Sequence, residues 1–300
     1  MTERDLRGYG GTWPDFAWPN GARLAVSVVI NFEEGAEQQV GDGDPVSERI
    51  GEVLSVVEPG VRDMGQEQTF AYGTRAGLWR MLAALDDTRI PATILMCGRA
   101  VERAPELARA AVARGHEPAV HGWRWRPHSD YRTEAEEAAD LDRCLAVITG
   151  VTGIQPVGFF CRGSESVWTR SLLAARGFQY TSNGFDDDLP YWDRGVPGGP
   201  LLVVPYALDT NDMKFFHPNG FVCSRDMVEY VADALDTLLH EAQCGQPRLL
   251  NIGFHLRICG RPGRFAAFRG VLALLERHGG AVWVARRAEI AAAFRMAVPP

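Results

Sequence analysis

Two adjacent carboxylates, Glu33 and Glu34, end the apolar run RLAVSVVINF, and two histidines, His121 and His255, end other short apolar runs far away in the chain. A carboxylate set against an imidazole is equipment for hydrolysing a carbon–nitrogen bond, since one group takes a proton from water and the other gives one to the leaving nitrogen. Glu33 is the candidate base and His255 the candidate acid. Arg162, which follows VGFFC, is the third candidate catalytic residue. It either holds a substrate carbonyl or carboxylate, or neutralises the acidic cluster of Glu33, Glu34 and Asp187. Glu34, His121 and His128 support a second reading, because one carboxylate with two imidazoles is a common catalytic zinc set. The two histidines are seven positions apart, and His128, after Pro127 on a polar loop, suits the surface as well as a metal. The cofactor expectation is therefore none, or one divalent metal such as zinc. Trp123 and Trp125 flank His121 as walls for a planar ring or as packing. Asp187 and Asn211, at later strand exits, complete the candidate substrate contacts.

These residues need a scaffold that brings them to one place. The run from Arg23 to Glu34 does not alternate with polar residues, as expected of a parallel strand covered by helices. Further short strands are expected at residues 91–97, 116–120, 157–161, 178–182, 201–206, 248–254 and 281–284. Helical spacing covers 74–85, 101–114, 133–149, 167–176, 226–243, 265–277 and 287–295. That makes about eight strand–helix units, the number that closes a parallel barrel. The expected fold is α/β, a distorted (β/α) barrel in one catalytic domain over residues 1–300. In such folds the active site lies at the carboxyl ends of the strands, where Glu33, Glu34, His121, Arg162, Asp187, Asp212 and His255 all fall. Residues 35–68, polar and without a strong period, read as an insertion serving as a lid or an oligomer contact.

Composition narrows the partners to a small-molecule substrate. With 31 Lys plus Arg against 38 Asp plus Glu, no basic stripe points to nucleic acid. Lys214 is the single lysine and sits among bulky aromatics, a poor position for Schiff-base chemistry. Six cysteines without a CxxC pair read as reduced thiols of a cytoplasmic protein. No signal-peptide core or membrane-length apolar window occurs, and neither do GxGxxG after the first strand or GxxxxGK[ST]. The chain is expected to be cytoplasmic and to use no nucleotide cofactor.

The motifs NFEEG (31–35), HGWRW from His121, Arg162, DDLPYW (187–192), PYALDTNDM (205–213), FHLRICGRPGR (254–264) and VWVARR (282–287) together resemble the polysaccharide deacetylase superfamily. Within it they resemble the allantoinase branch that works on ureides, with cyclic-imide hydrolases nearby. The resemblance spans nearly the entire chain. It implies a distorted (β/α) barrel, hydrolysis of a non-peptide C–N bond, and often a homotetramer. It also implies that Glu33 replaces the aspartate that serves as base and Glu34 the aspartate that binds metal. His121 then matches the first of two metal-binding histidines, Trp125 replaces the second, and His255 matches the histidine that protonates the leaving group. Longer carboxylates and a missing imidazole are features of the metal-independent allantoinase branch. FFCRGSESVWTR around Arg162, and Thr181 and Asn183 in place of aspartates, depart from that branch.

Three functions follow as expectations. The first is a hydrolase that opens a small cyclic ureide or imide. Glu33 would activate water, Arg162 or a metal on Glu34 and His121 would hold the oxyanion, and His255 would protonate the nitrogen. The second is a deacetylase of a soluble N-acetylated sugar or metabolite, and the third a catalytically silent barrel that binds a ligand. Arg257, Arg261 and Arg264, near His255, read as an anion site, a subunit contact or a loop scaffold.

Overall fold

The structure, a computed structural model, describes residues 5–52 and 54–300. Among the described residues nine strands form one sheet: β1 Leu24–Phe32, β2 Ala92–Met96, β3 Glu117–Val120, β4 Gly158–Phe159, β5 Tyr180–Thr181, β6 Tyr191–Asp193, β7 Leu201–Val203, β8 Arg248–His255 and β9 Val282–Val284. Around it run α1 Met64–Tyr72, α2 Leu78–Thr88, α3 Gly98–Arg103, α4 Pro105–Val112, α5 Glu134–Thr152, α6 Thr169–Ala175, α7 Ser224–Gln243, α8 Pro262–His278 and α9 Arg287–Ala297. The strand order is β6-β7-β5-β4-β3-β2-β1-β8, with β9 against the first half of β1. All pairs are parallel except β6 on β7. The fold is a distorted (β/α) barrel.

The barrel is left open between the edge strands β6 and β8, where strand counting predicts closure. β7 is only three residues long, and the chain leaves the sheet at Val204 and Pro205. It then crosses the seam as a loop. Gly253 N–H donates to the Thr210 carbonyl at 3.2 Å, and Asn211 makes a single bridge to Gly253. A β-carbon on Gly253 would lie 2.4 Å from both the Tyr206 hydroxyl and the Asn211 amide, so only glycine lets the loop close on the strand.

Strand alternation sorts the residues into two faces. Val28, Ile30 and Phe32 of β1, Ile94 and Met96 of β2, and Ile252 and Phe254 of β8 join the core beneath the helices. The opposite face looks into the barrel, where Val29, Leu95, Ala119, Phe160 and Tyr206 form a plug. Below the plug the buried Arg287 spans the barrel floor. Its guanidinium donates to Ser182 (2.9 Å), Ser27 (3.0 Å), Asn251 (2.7 Å), Pro205 (2.8 Å) and the Val204 carbonyl. Above the plug the inward register continues from Asn31 to Glu33 on β1, from Ala119 to His121 after β3, and from Gly253 to His255 on β8.

Two helix boundaries differ from expectation. α1 starts at Met64, inside the stretch expected to be irregular, because Asp63 caps it by accepting from Gln66 N–H at 2.9 Å. One π-turn, Gly73–Gly77, joins it to α2. Both glycines are crowded there, since a β-carbon on Gly73 would lie 2.3 Å from Glu34 Oε1 and one on Gly77 would lie 2.2 Å from the Leu256 carbonyl. The helix residues expected at 101–114 split into α3 and α4 at Pro105, which has no N–H to continue a helix but starts one well. No helix among the described residues is long and apolar enough to cross a membrane.

Candidate active site

Glu33 is fully buried at the exit of β1. Its Oε1 lies 3.1 Å from His121 Nε2 and 3.2 Å from His255 Nε2, and its Oε2 accepts from Arg257 Nη1 at 2.6 Å. Three segments more than eighty residues apart in the chain thus meet on one carboxylate. Each imidazole is oriented from behind. His121 Nδ1 stands 2.8 Å from the Phe160 carbonyl and its Nε2 stands 3.1 Å from Glu33, so both ring nitrogens face acceptors. His255 Nδ1 donates to Asp212 Oδ1 at 2.6 Å, while Asp212 Oδ2 accepts from the backbone N–H of His255 (2.8 Å) and Cys259 (3.3 Å).

The electrostatics follow from this contact set. Burial would push the His255 imidazole down, but the charges of Glu33 and Asp212 and their hydrogen bonds outweigh it and raise it to about 9. Burial likewise opposes ionisation of Glu33, yet Arg257, His255 and the hydrogen bond from His121 hold its carboxyl well below the usual range. At neutral pH the pair is therefore carboxylate and imidazolium. Glu34 has a different part. Its Oε2 accepts from Glu33 N–H (3.1 Å) and its Oε1 from Arg257 N–H (3.2 Å), tying the β1 exit to the loop after β8. Burial pushes it up to about 7 against the pull of Arg257, with the Glu33 charge adding to the rise.

Several expected site residues lie elsewhere or act differently. Arg162 is not the cation on Glu33. It pairs with Glu48 at 2.6 Å and stacks 3.8 Å from the Trp125 ring centroid, because the chain between Ala36 and Glu52 folds over Trp125 and offers Glu48 first. Arg257, read as one of three loop arginines, holds Glu33 instead. His128 does not join Glu34 and His121. Its Nδ1 binds Glu137 of α5 at 2.8 Å, and Glu137 also accepts from Thr169 (2.5 Å) and Ser166, a buried lock between loops. Trp123 packs under Arg143 (3.7 Å) and against Gly98, as core rather than as a ligand wall. Asn211 caps a short turn by accepting from Met213 N–H at 2.8 Å and donates to Tyr206 at 2.9 Å, so its amide closes the seam. Asp187 accepts from Leu189 N–H at 3.1 Å beside a cavity of about 710 Å³ around Tyr9, Trp13 and Trp192. That cavity lies toward Arg248 at the start of β8, the strand end opposite Glu33.

The donor set at Glu33 does not fit a divalent metal. Among the described residues no three His, Cys, Asp or Glu side chains group as ligands. Where a second imidazole is needed Trp125 presents an indole, and the Arg257 guanidinium stands 4.7 Å from its ring centroid, with its charge already on Glu33. Above this cluster residues 36–52 form a strap. Ala36 accepts from Trp125 N–H (3.0 Å), Arg124 grips Asp44 (2.5 Å), Glu48 holds Arg162, and Arg261 binds Glu52 (3.1 Å).

The polysaccharide deacetylase family model matches residues 66–181. A Schizosaccharomyces pombe protein assigned as a polysaccharide deacetylase is 33% identical over 97% of this chain and 96% of its own length. Among solved structures, a Pseudomonas aeruginosa PAO1 protein assigned as a polysaccharide deacetylase is 40% identical, with a TM-score of 0.93 over 100% of both chains. The PuuE allantoinase is 39% identical, also with a TM-score of 0.93, over 100% of this chain and 99% of its own. Fold and relatives together define a hydrolase of carbon–nitrogen bonds other than peptide bonds. The chain belongs to the polysaccharide deacetylase family, on the side of it that resembles the allantoinase.

Proposed function

We propose that the protein is an amidohydrolase that opens a small cyclic ureide or imide, acting in the cytoplasm as a homotetramer. The observation that carries this reading is the arrangement on Glu33, an ionised carboxylate 3.2 Å from an imidazolium that Asp212 holds protonated. Glu33 takes a proton from the attacking water, and His255 gives its Nε2 proton to the ring nitrogen as the C–N bond breaks. His121, fixed by the Phe160 carbonyl, keeps Glu33 Oε1 in place. The ring substrate is supported by likeness to PuuE allantoinase over the whole chain and by the indole in place of the imidazole that a metal-dependent deacetylase would need. All six cysteines are free, which suits a reducing compartment. The exposed apolar residues Leu54, Val56, Val61 and Met64 beside the strap suit a subunit contact.

The test is turnover of allantoin, hydantoin, succinimide and N-acetylglucosamine by wild type and by Glu33→Gln. Ring opening by wild type, reduced by about 10²-fold or more in the variant, supports the reading. Acetate release from N-acetylglucosamine without ring opening replaces it with deacetylation. A fully active Glu33→Gln removes Glu33 as the base.

A further inference from the structure

The resemblance to metal-dependent deacetylases implies a metal cation at positions 34, 121 and 125. Here a guanidinium fills that region. Arg257 Nη1 is 2.6 Å from Glu33 Oε2 and 3.8 Å from Glu34 Oε1, and the guanidinium carbon lies 4.3 Å from the Phe70 ring centroid and 4.7 Å from that of Trp125. The side chain is wholly buried, so the cation is fixed by two carboxylates and two aromatic rings. Trp125 and Arg257 thus complement each other, since the indole removes a metal ligand and supplies a face for the cation that replaces the metal.

Two of the guanidinium donors have nothing to bind. Arg257 Nε and Nη2 are buried without a partner, a costly state for charged N–H groups. Arg287, equally buried in the same barrel, shows what a purely structural arginine does here, because each of its nitrogens donates to a hydroxyl, an amide oxygen or a carbonyl. Arg257 differs in standing next to the base with donors to spare.

We propose that Arg257 is the resident cation of the active site, holding the substrate carbonyl through its unpartnered N–H groups and stabilising the oxyanion in place of a metal. This rests on the amide-hydrolysis reading above. Water oxygen bonds to the carbonyl carbon while Glu33 takes one water proton, and the C=O π pair moves onto the oxygen facing Arg257. Collapse restores C=O and breaks the C–N bond. The pair left on nitrogen takes the His255 Nε2 proton, and Glu33 returns its proton to His255 across their 3.2 Å contact. The products are a carboxylic acid, which ionises, and a free N–H group, with no other reactant. As the oxyanion draws on the guanidinium, Glu33 feels less of its charge and becomes a stronger base at the moment the proton moves.

The test compares wild type, Arg257→Lys and Arg257→Ala on whichever panel compound wild type hydrolyses, and titrates zinc into each protein by calorimetry, with circular dichroism to verify folding. The expected result is a fall in kcat of about 10²- to 10³-fold in both variants, partial recovery of Arg257→Ala by added guanidinium ion, and wild-type activity that survives chelator. Zinc should bind Arg257→Ala,Trp125→His at least about tenfold more tightly than wild type, because the double variant both vacates the position and restores the imidazole. Folded variants with wild-type kcat overturn the oxyanion role while leaving ring hydrolysis standing. If wild type hydrolyses no panel amide, the functional reading fails and the zinc titration still judges the placement. Equal zinc affinity in wild type and double variant overturns it.

Discussion

The role of His255 can be tested through the residue behind it. In Asp212→Asn the side chain keeps its shape, but only one of its two ends remains an oxygen. Two backbone N–H groups, from His255 and Cys259, point at Oδ2, and they require that oxygen to stay. The new NH2 group therefore faces His255 Nδ1, where the wild-type carboxylate accepts at 2.6 Å. An NH2 opposite Nδ1 favours a neutral imidazole with its lone pair there and opposes the imidazolium. The magnitude follows from the folded state. The rise of His255 from the ordinary 6.5 to about 9 corresponds to about 3 kcal/mol favouring the imidazolium. Glu33 and Asp212 share this, so losing the Asp212 part lowers the transition by about one pH unit or more.

The assay is kcat/KM from about pH 5 to about pH 10. In wild type the active form has Glu33 ionised and His255 protonated, so activity falls on the alkaline side near pH 9. The limb belongs to the coupled cluster rather than to one residue. In the variant the limb moves below about pH 8, and kcat at neutral pH drops by about 10²-fold or more as the general acid is lost. Stability gives an independent reading with a defined sign. A group raised in the folded state stabilises the fold fully below its unfolded value and loses that contribution as pH rises through its folded value. Wild type should thus lose up to about 3 kcal/mol of unfolding free energy between pH 6.5 and about 9, and Asp212→Asn should lose less. An alkaline limb in the same place with kcat within about threefold of wild type would falsify the assignment of His255 as an acid poised by Asp212.

Two further predictions concern packing around the site. Gly73→Ala forces a β-carbon against Glu34 Oε1, which cannot retreat because two backbone N–H groups hold that carboxylate. A loss of about 1–3 kcal/mol is expected by denaturant unfolding. Gly150→Ala, in open space on α5, should instead gain up to about 1 kcal/mol, and equal effects at the two glycines would remove the claim of a special fit. Glu48→Gln should loosen the strap by breaking the 2.6 Å pair with Arg162. Limited proteolysis within residues 36–63 should then run several-fold faster, and unchanged cleavage would mean that this pair does not hold the strap.

The central contacts were legible because strand alternation carries them. From Ser27 the odd positions Val29, Asn31 and Glu33 face inward, and Ala119 to His121 and Gly253 to His255 repeat the step, so the exits converge without any knowledge of the loops. The same count, carried two residues past His255, reaches Arg257. Sequence reasoning stopped at the strand end and favoured Arg162, which also leaves a strand exit. What decides between the two arginines is Glu48, a residue of the strap that no periodicity places. Asp212 was placed at a strand exit with the others, but its position behind His255 was hidden for a related reason. It lies 43 residues away, and its reach depends on how residues 205–211 cross the open seam. That seam was itself unreadable from a count of strand–helix units, which predicts closure and does not register that β6 turns antiparallel onto β7 and ends the sheet there.

The charge balance of the cluster explains why these residues act as a set. Glu33 is an anion that accepts from Arg257 and Asp212 one that accepts three N–H groups, while His255 and Arg257 are cations. These two anions and two cations are buried together in one cluster beside His121. Glu34, at about 7, can add or drop a negative charge beside them. Burying a matched set is tolerable, whereas removing one member leaves its partner as an uncompensated buried charge. Neutral isosteres at Glu33 or Asp212 should therefore cost stability as well as rate. A double change that removes Glu33 and Arg257 together should cost less stability than the sum of the two single changes, because each single change strands the other's charge.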